Sequence, residues 1–68
     1  MLDLQLKYGD SGEEVTLLQR ALNMKAGARI KVDGDFGKLT ETSLRSFQAS
    51  KNLEVNGLYG EKEQELLA

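Results

Sequence analysis

Asp33 and Asp35 stand one residue apart in Val32-Asp33-Gly34-Asp35-Phe36-Gly37, and chemistry could begin at that carboxylate pair. A glycosidase needs two carboxylates flanking the bond it cleaves. Residues i and i+2 of a tight turn seldom face each other across a substrate, and 68 residues leave little room for a cleft around a sugar ring. A calcium loop starting at Asp33 would need glycine at its sixth position and glutamate at its twelfth. Those positions hold Lys38 and Leu44, so Asp33, Asp35 and Glu41 do not make one. Histidine and cysteine are both absent. Their absence removes the usual zinc ligands and any Ser-His or Cys-His nucleophile. The chain is therefore expected to have no catalytic residue, no metal and no cofactor.

What remains is binding, and the pattern repeats. Val55-Asn56-Gly57-Leu58-Tyr59-Gly60 copies the first segment 23 residues later as Val-[Asp/Asn]-Gly-x-[Phe/Tyr]-Gly. Asp33-Gly34 and Asn56-Gly57 are turn signals, because Asp and Asn bond their own backbone and glycine takes positive φ freely. Gly34, Gly37, Gly57 and Gly60 read first as backbone necessities. If the two turns lie side by side, their main-chain N–H groups could form nests for ligand carboxylates across a shared shallow groove. Phe36, Phe47 and Tyr59 are core residues before they are ligand platforms. Tyr59 combines both roles best, since its ring can pack while its hydroxyl reaches a polar group.

Three helices must position these turns. Ser11 and Glu14 have the spacing of a capping box, and Glu13 and Glu14 suit the positive end of a helix dipole. Val15, Leu18, Ala21 and Leu22 recur at helical spacing, with Leu17 and Met24 widening the stripe. Gly27 is the expected stop. A second helix begins near Lys38 with a core face of Leu44 and Phe47, joined by Leu39 or Thr40, and ends at Asn52. A third contributes Leu66 and Leu67. The spacing predicts helices over 11–26, 38–51 and 61–67, in a compact all-α three-helix bundle carrying a loop-helix internal repeat. Leu2, Leu4 and Leu6 alternate with polar residues and predict an extended N-terminal segment. Val15-x-x-Leu18-Gln19 also matches Leu44-x-x-Phe47-Gln48 in kind and spacing.

Composition narrows the partners. Sixty-eight residues read as one domain, 1–68, and as a module of a longer protein. A domain this small buries only about 60% of its unfolded surface. The net charge of -2, with no long basic run, argues against nucleic acid. Lys25, Arg29 and Lys31 read as solvated surface first and as a contact for an anionic ligand second. No apolar stretch has bilayer length, and Met1 to Leu6 is too short and polar for a secretory signal. Neither a membrane nor an oligomer is expected.

The ordered blocks Gly9–Leu22, Asp33–Thr40, Phe47-Gln48 and Leu53–Gly60 resemble the three-helix peptidoglycan-binding domain, a family of modules in cell-wall hydrolases of bacteria and phages. The resemblance spans residues 6 to 67. It implies a non-catalytic module that binds peptidoglycan, the stem peptide more than the glycan, at the bacterial cell wall or periplasm. It also implies a covalently linked catalytic domain. The implied ligand-binding residues are Asp33, Gly34, Phe36, Gln48, Asn56, Gly57 and Tyr59. Gln48 lies nearer the implied groove, whereas Gln19 reads as a solvated or loop-bonding amide. The chain departs from the family pattern at Asn56, Glu63 and Gln64, where aspartate, threonine and tryptophan are usual. Leu58, Leu66 and Leu67 would then have to close the core. A protein-docking or pro-domain module and a small autonomous lytic enzyme are the rival readings.

Overall fold

The computed structural model describes residues 5–67. Its helices are α1 (Glu13–Lys25), α2 (Lys38–Ser50) and α3 (Glu61–Leu67), within two residues of the sequence expectation at every end. Leu2 and Leu4 of the expected extended segment lie outside the described residues.

α1 turns Val15, Leu18 and Leu22 inward, and the same turn of the helix carries Gln19 into the interior. Leu17 and Met24 do not widen this stripe. They point outward, with Met24 80% exposed, because a residue one step from the stripe is rotated about 100° around a 3.6-residue helix. α2 buries Thr40, Leu44, Phe47 and Gln48. Between the two candidates for its first turn the structure selects Thr40, and Leu39 is 70% exposed. α3 buries Glu63 and Leu67, while Leu66 faces out. Leu6, Phe36 and Leu67 join the buried leucines, Val15 and Phe47 in one core, with Ala21, Ala28, Ile30, Leu53 and Tyr59 packed against it. The expected closure by Leu58, Leu66 and Leu67 is therefore corrected to Leu67 with Tyr59 and Leu53.

The helix ends differ in their chemistry. Ser11 and Glu14 form no capping box: the N-cap of α1 is Gly12, and it receives no side-chain bond. Ser11 is instead drawn into an antiparallel bridge with Asp35. The bonds around it run from Gly12 N–H to the Gly34 carbonyl and from Phe36 N–H to the Asp10 carbonyl, each 2.9 Å. Just past the end of α2, Asn52 takes φ 59. There Asn52 N–H donates to Ala49 O at 3.2 Å and Leu53 N–H to Gln48 O at 2.9 Å, the paired bonds of a Schellman stop. Leu6 exchanges backbone bonds of 3.1 and 2.8 Å with Tyr59, fastening the N-terminal segment to the loop before α3.

Leu44 is fully buried at the centre of this core. Leu44→Ala is expected to cost about 2–5 kcal/mol in urea unfolding. Met24→Ala should stay within about 0.5 kcal/mol; equal losses would mean that the inward and outward faces are misassigned.

Candidate functional site

Two buried glutamines organise the turns. Gln19 is 1% exposed and Gln48 is 0% exposed. Gln19 Oε1 accepts from the N–H groups of Asp33 and Gly34, at 3.0 and 2.9 Å. Its Nε2 lies 2.9 Å from Asp33 Oδ1, 3.0 Å from the Asp35 carbonyl and 3.0 Å from Thr40 Oγ1. Gln48 repeats the arrangement on the second turn. Its Oε1 accepts from Asn56 and Gly57 N–H at 3.2 and 3.0 Å. Its Nε2 reaches Asn56 Oδ1 at 2.8 Å, the Leu58 carbonyl at 3.0 Å and Glu63 Oε2 at 3.0 Å. An amide has two acceptor lone pairs and two donors, so each glutamine is fully occupied and one N–H is shared. Among the described residues no buried side-chain polar atom lacks a partner.

The repeat keeps the geometry and relocates the charge. In the first unit the carboxylate sits on the turn, at Asp33, and the neutral oxygen sits on the helix, at Thr40. In the second the turn supplies the neutral Asn56 and the helix supplies the carboxylate of Glu63. Each buried amide thus faces one acid. Glu63 uses its other oxygen, Oε1, to accept Gly60 N–H at 3.0 Å, fixing the start of α3.

This corrects several sequence expectations. Gln48 is not a groove residue: it is a loop-bonding amide, the role expected only of Gln19. Phe36 is 2% exposed and belongs to the core, so it offers no ligand wall. Gly34 and Gly57 are buried, with φ of 78 and 72. A Cβ at Gly57 would come within 3.1 Å of Arg45 Nε and 3.2 Å of Glu41 Oε2. These two glycines are therefore turn-formers packed against helices, and they do not face a ligand.

The expected nests are absent as well. Beyond the four N–H groups held by the glutamines, Asp35 N–H is taken by Asp33 Oδ1 and Leu58 N–H by Asn56 Oδ1. Phe36 and Gly37 donate to the carbonyls of Asp10 and Asp35, and Tyr59 donates to that of Leu6. Gly60 is held by Glu63. Every N–H from 33 to 37 and from 56 to 60 is spent inside the molecule.

Nor do the turns share one groove; each lines its own. The first is an open hollow of about 200 Å³ whose lining includes Ile30, Lys31, Asp33, Lys38, Leu39 and Thr40. Gln19, Asp35 and Gly37 complete it. The second, about 320 Å³, is lined by Leu53, Glu54, Asn56, Glu61, Lys62 and Glu63, with Gln5 and Gly60. Adding 23 to each residue of the first sextet gives the second, so the hollows occupy equivalent places in the internal repeat. Asp33 and Asn56 thus lie in different hollows, and Tyr59 lines neither. Of the expected basic patch, Lys31 reaches the first hollow, and Lys25 and Arg29 line neither of the two. Lys38, Leu39 and Thr40 were missed as lining residues, although extending the 23-residue register outward from the glycines would have found them.

The bond from Gln19, followed by that from the Asp35 N–H, holds the Asp33 carboxyl below the usual carboxylate range. A depressed carboxyl contributes stability that is present above its unfolded pKa of about 3.9 and is lost as pH falls through the folded value. Burial, and secondarily the charge of Glu63, raises the Tyr59 phenol above its ordinary value.

Against this geometry, a family model described as a putative peptidoglycan binding domain matches residues 11–67. The spore cortex-lytic enzyme of Bacillus cereus is 42% identical over 62 residues, which cover 91% of this chain and 24% of that enzyme. The chain thus spans about a quarter of the length of the curated relatives it matches. The crystal structure of the SleB N-terminal domain superposes with a TM-score of 0.90 at 39% identity, covering 98% of this chain and 92% of that one. The Burkholderia AP3 phage endolysin gives a TM-score of 0.90 at 37% identity, over 96% of this chain and 25% of the endolysin. The chain belongs to the peptidoglycan-binding domain family.

Two outcomes test the amide centres. Asn56→Asp would set two carboxylates around one Gln48 amide and should cost on the order of 1–2 kcal/mol in urea at pH 7. Asn56→Asp/Glu63→Thr should recover part of that loss, the bond from Gly60 N–H to Glu63 being forfeited. In parallel, the acid limb of the wild-type stability curve below about pH 4 should flatten in Asp33→Asn; identical limbs would remove Asp33 from the linkage.

Proposed function

We propose that the chain is a non-catalytic module that binds bacterial cell-wall peptidoglycan through its stem peptide and holds an attached lytic domain at the wall. The observation that carries the site is the first hollow. The first turn of α2 lines it, and no side chain caps that helix end. Uncapped N–H groups and the positive dipole end of a helix favour a carboxylate. The carboxylate contact that the sequence assigned to the turns therefore moves to the start of α2.

Around that point, Asp33 remains the ligand-facing acid. Gln19 and the Asp35 N–H engage its Oδ1, and no bond among the described residues engages Oδ2. Oδ2 can accept a ligand N–H. Leu39 and Ile30 give aliphatic contact for alanine methyl groups. Gln19, Gln48, Gly34, Gly57 and Phe36 act behind the surface by fixing the turns. The hollow is shallow and open, so single-site affinity should be weak, with retention on the wall coming from the repeating polymer and the linkage to a lytic partner. No helix among the described residues is long and apolar enough to cross a membrane.

Sedimentation with purified sacculi tests this reading. The chain should pellet with sacculi and should not clear permeabilised cells; a docking module would stay in the supernatant, and a lytic enzyme would clear them. Leu39→Asp alters an exposed side chain, so it should melt like the parent chain yet pellet less. Unchanged pelleting would move the site away from this hollow.

A further inference from the structure

The two hollows are copies in position but differ in charge, the first balanced and the second acidic. Where the first has Lys31 and Lys38, the second has Glu54 and Glu61. Where the first has the aliphatic Leu39 and the hydroxyl of Thr40, the second has Lys62 and the carboxylate of Glu63. The first rim balances two lysines against Asp33 and Asp35; the second carries three glutamates and one lysine. Neither contrast follows from burial, because Lys31, Lys38, Glu54 and Glu61 are all exposed. The duplicated frame tolerates both patterns.

We infer that the first hollow selects stem peptides whose diamino-acid residue ends in a zwitterion, a free ammonium and a free carboxylate on one carbon. Lys31 and Lys38 set the specificity for the carboxylate. This rests on the peptidoglycan reading above and narrows it. The balanced rim offers a partner to both charges, and Ile30 and Leu39 flank the aliphatic run that carries them. Asp33 Oδ2 and Asp35 meet the ammonium. Lys31 and Asp33 line the same hollow, which sets cationic and anionic side chains on one rim. The second hollow, with its excess of glutamate, repels the same carboxylate. One copy of the duplicated frame therefore reads the peptide while the other does not.

The test is NMR titration of the 68-residue chain with three muramoyl tripeptides that differ only at the third residue. These are meso-diaminopimelate, its side-chain carboxamide, and lysine. The diaminopimelate form should bind best, with shifts confined to residues 30–40. The carboxamide and lysine forms should bind roughly three- to tenfold more weakly, the weight of one or two solvated ion pairs. Lys31→Glu/Lys38→Glu should erase the preference while keeping a native spectrum. Glu54→Gln/Glu61→Gln should leave diaminopimelate binding within about twofold. Equal affinity for the three ligands, or a double lysine variant with its preference intact, overturns this inference. If sacculi are still bound in that case, the broader reading stands. If sacculi and all three peptides fail to bind, both fall.

Discussion

The fold depends on two side-chain amides that stand in for backbone. A chain with two long irregular connections has many main-chain groups to satisfy, and leaving a buried one unmet costs roughly 1–3 kcal/mol. Gln19 and Gln48 each satisfy two N–H groups and one carbonyl of a turn while anchored in the interior of a helix. The third side of each amide ties to the following helix, through Thr40 or Glu63. One residue thereby fixes a turn, the helix before it and the helix after it. That economy lets a small chain without cysteine hold ordered loops around a core of few large residues.

The same economy decides where a ligand can act. Turns that are fully bonded internally have no spare main-chain donors, so their glycines shape the surface without contacting what lies on it. The chemistry available to a wall fragment comes from what the pinned turns leave at their margins: an uncapped helix start, one free carboxylate oxygen and exposed long side chains. Such a surface offers placed charges and shallow aliphatic contact. The open form of the hollow and the scarcity of exposed aromatic rings fit peptide better than sugar stacking.

The sequence disclosed the helices almost to the residue, because Val15, Leu18, Leu22, Leu44 and Phe47 keep helical spacing and Gly27 and Asn52 mark stops. The repeat was equally legible, since glycines at positive φ leave a fixed signature. Less legible was the direction of polar side chains. Nothing in the spacing of Gln48 tells whether its amide faces solvent or a loop; only the packing of Leu44 and Phe47 beside it turns it inward. The Ser11–Glu14 pair misled for a similar reason. A local capping pattern lost to pairing with Asp35, a partner 24 positions away that local spacing does not reveal. The hollows were visible only in part, because their walls lie just outside the obvious motif, at 30–31 and 38–40.

The placement of acids around the two amides has an evolutionary side. A duplicated unit whose turn and helix both touch one buried amide cannot change either position freely. Moving the acid from turn to helix passes through a state with two acids or with none, and both are disfavoured. Descendants of such a duplication should therefore drift in linked steps, turn and helix together, while the rims are free to diverge. A scaffold built twice thereby carries a second surface that can change without disturbing the first.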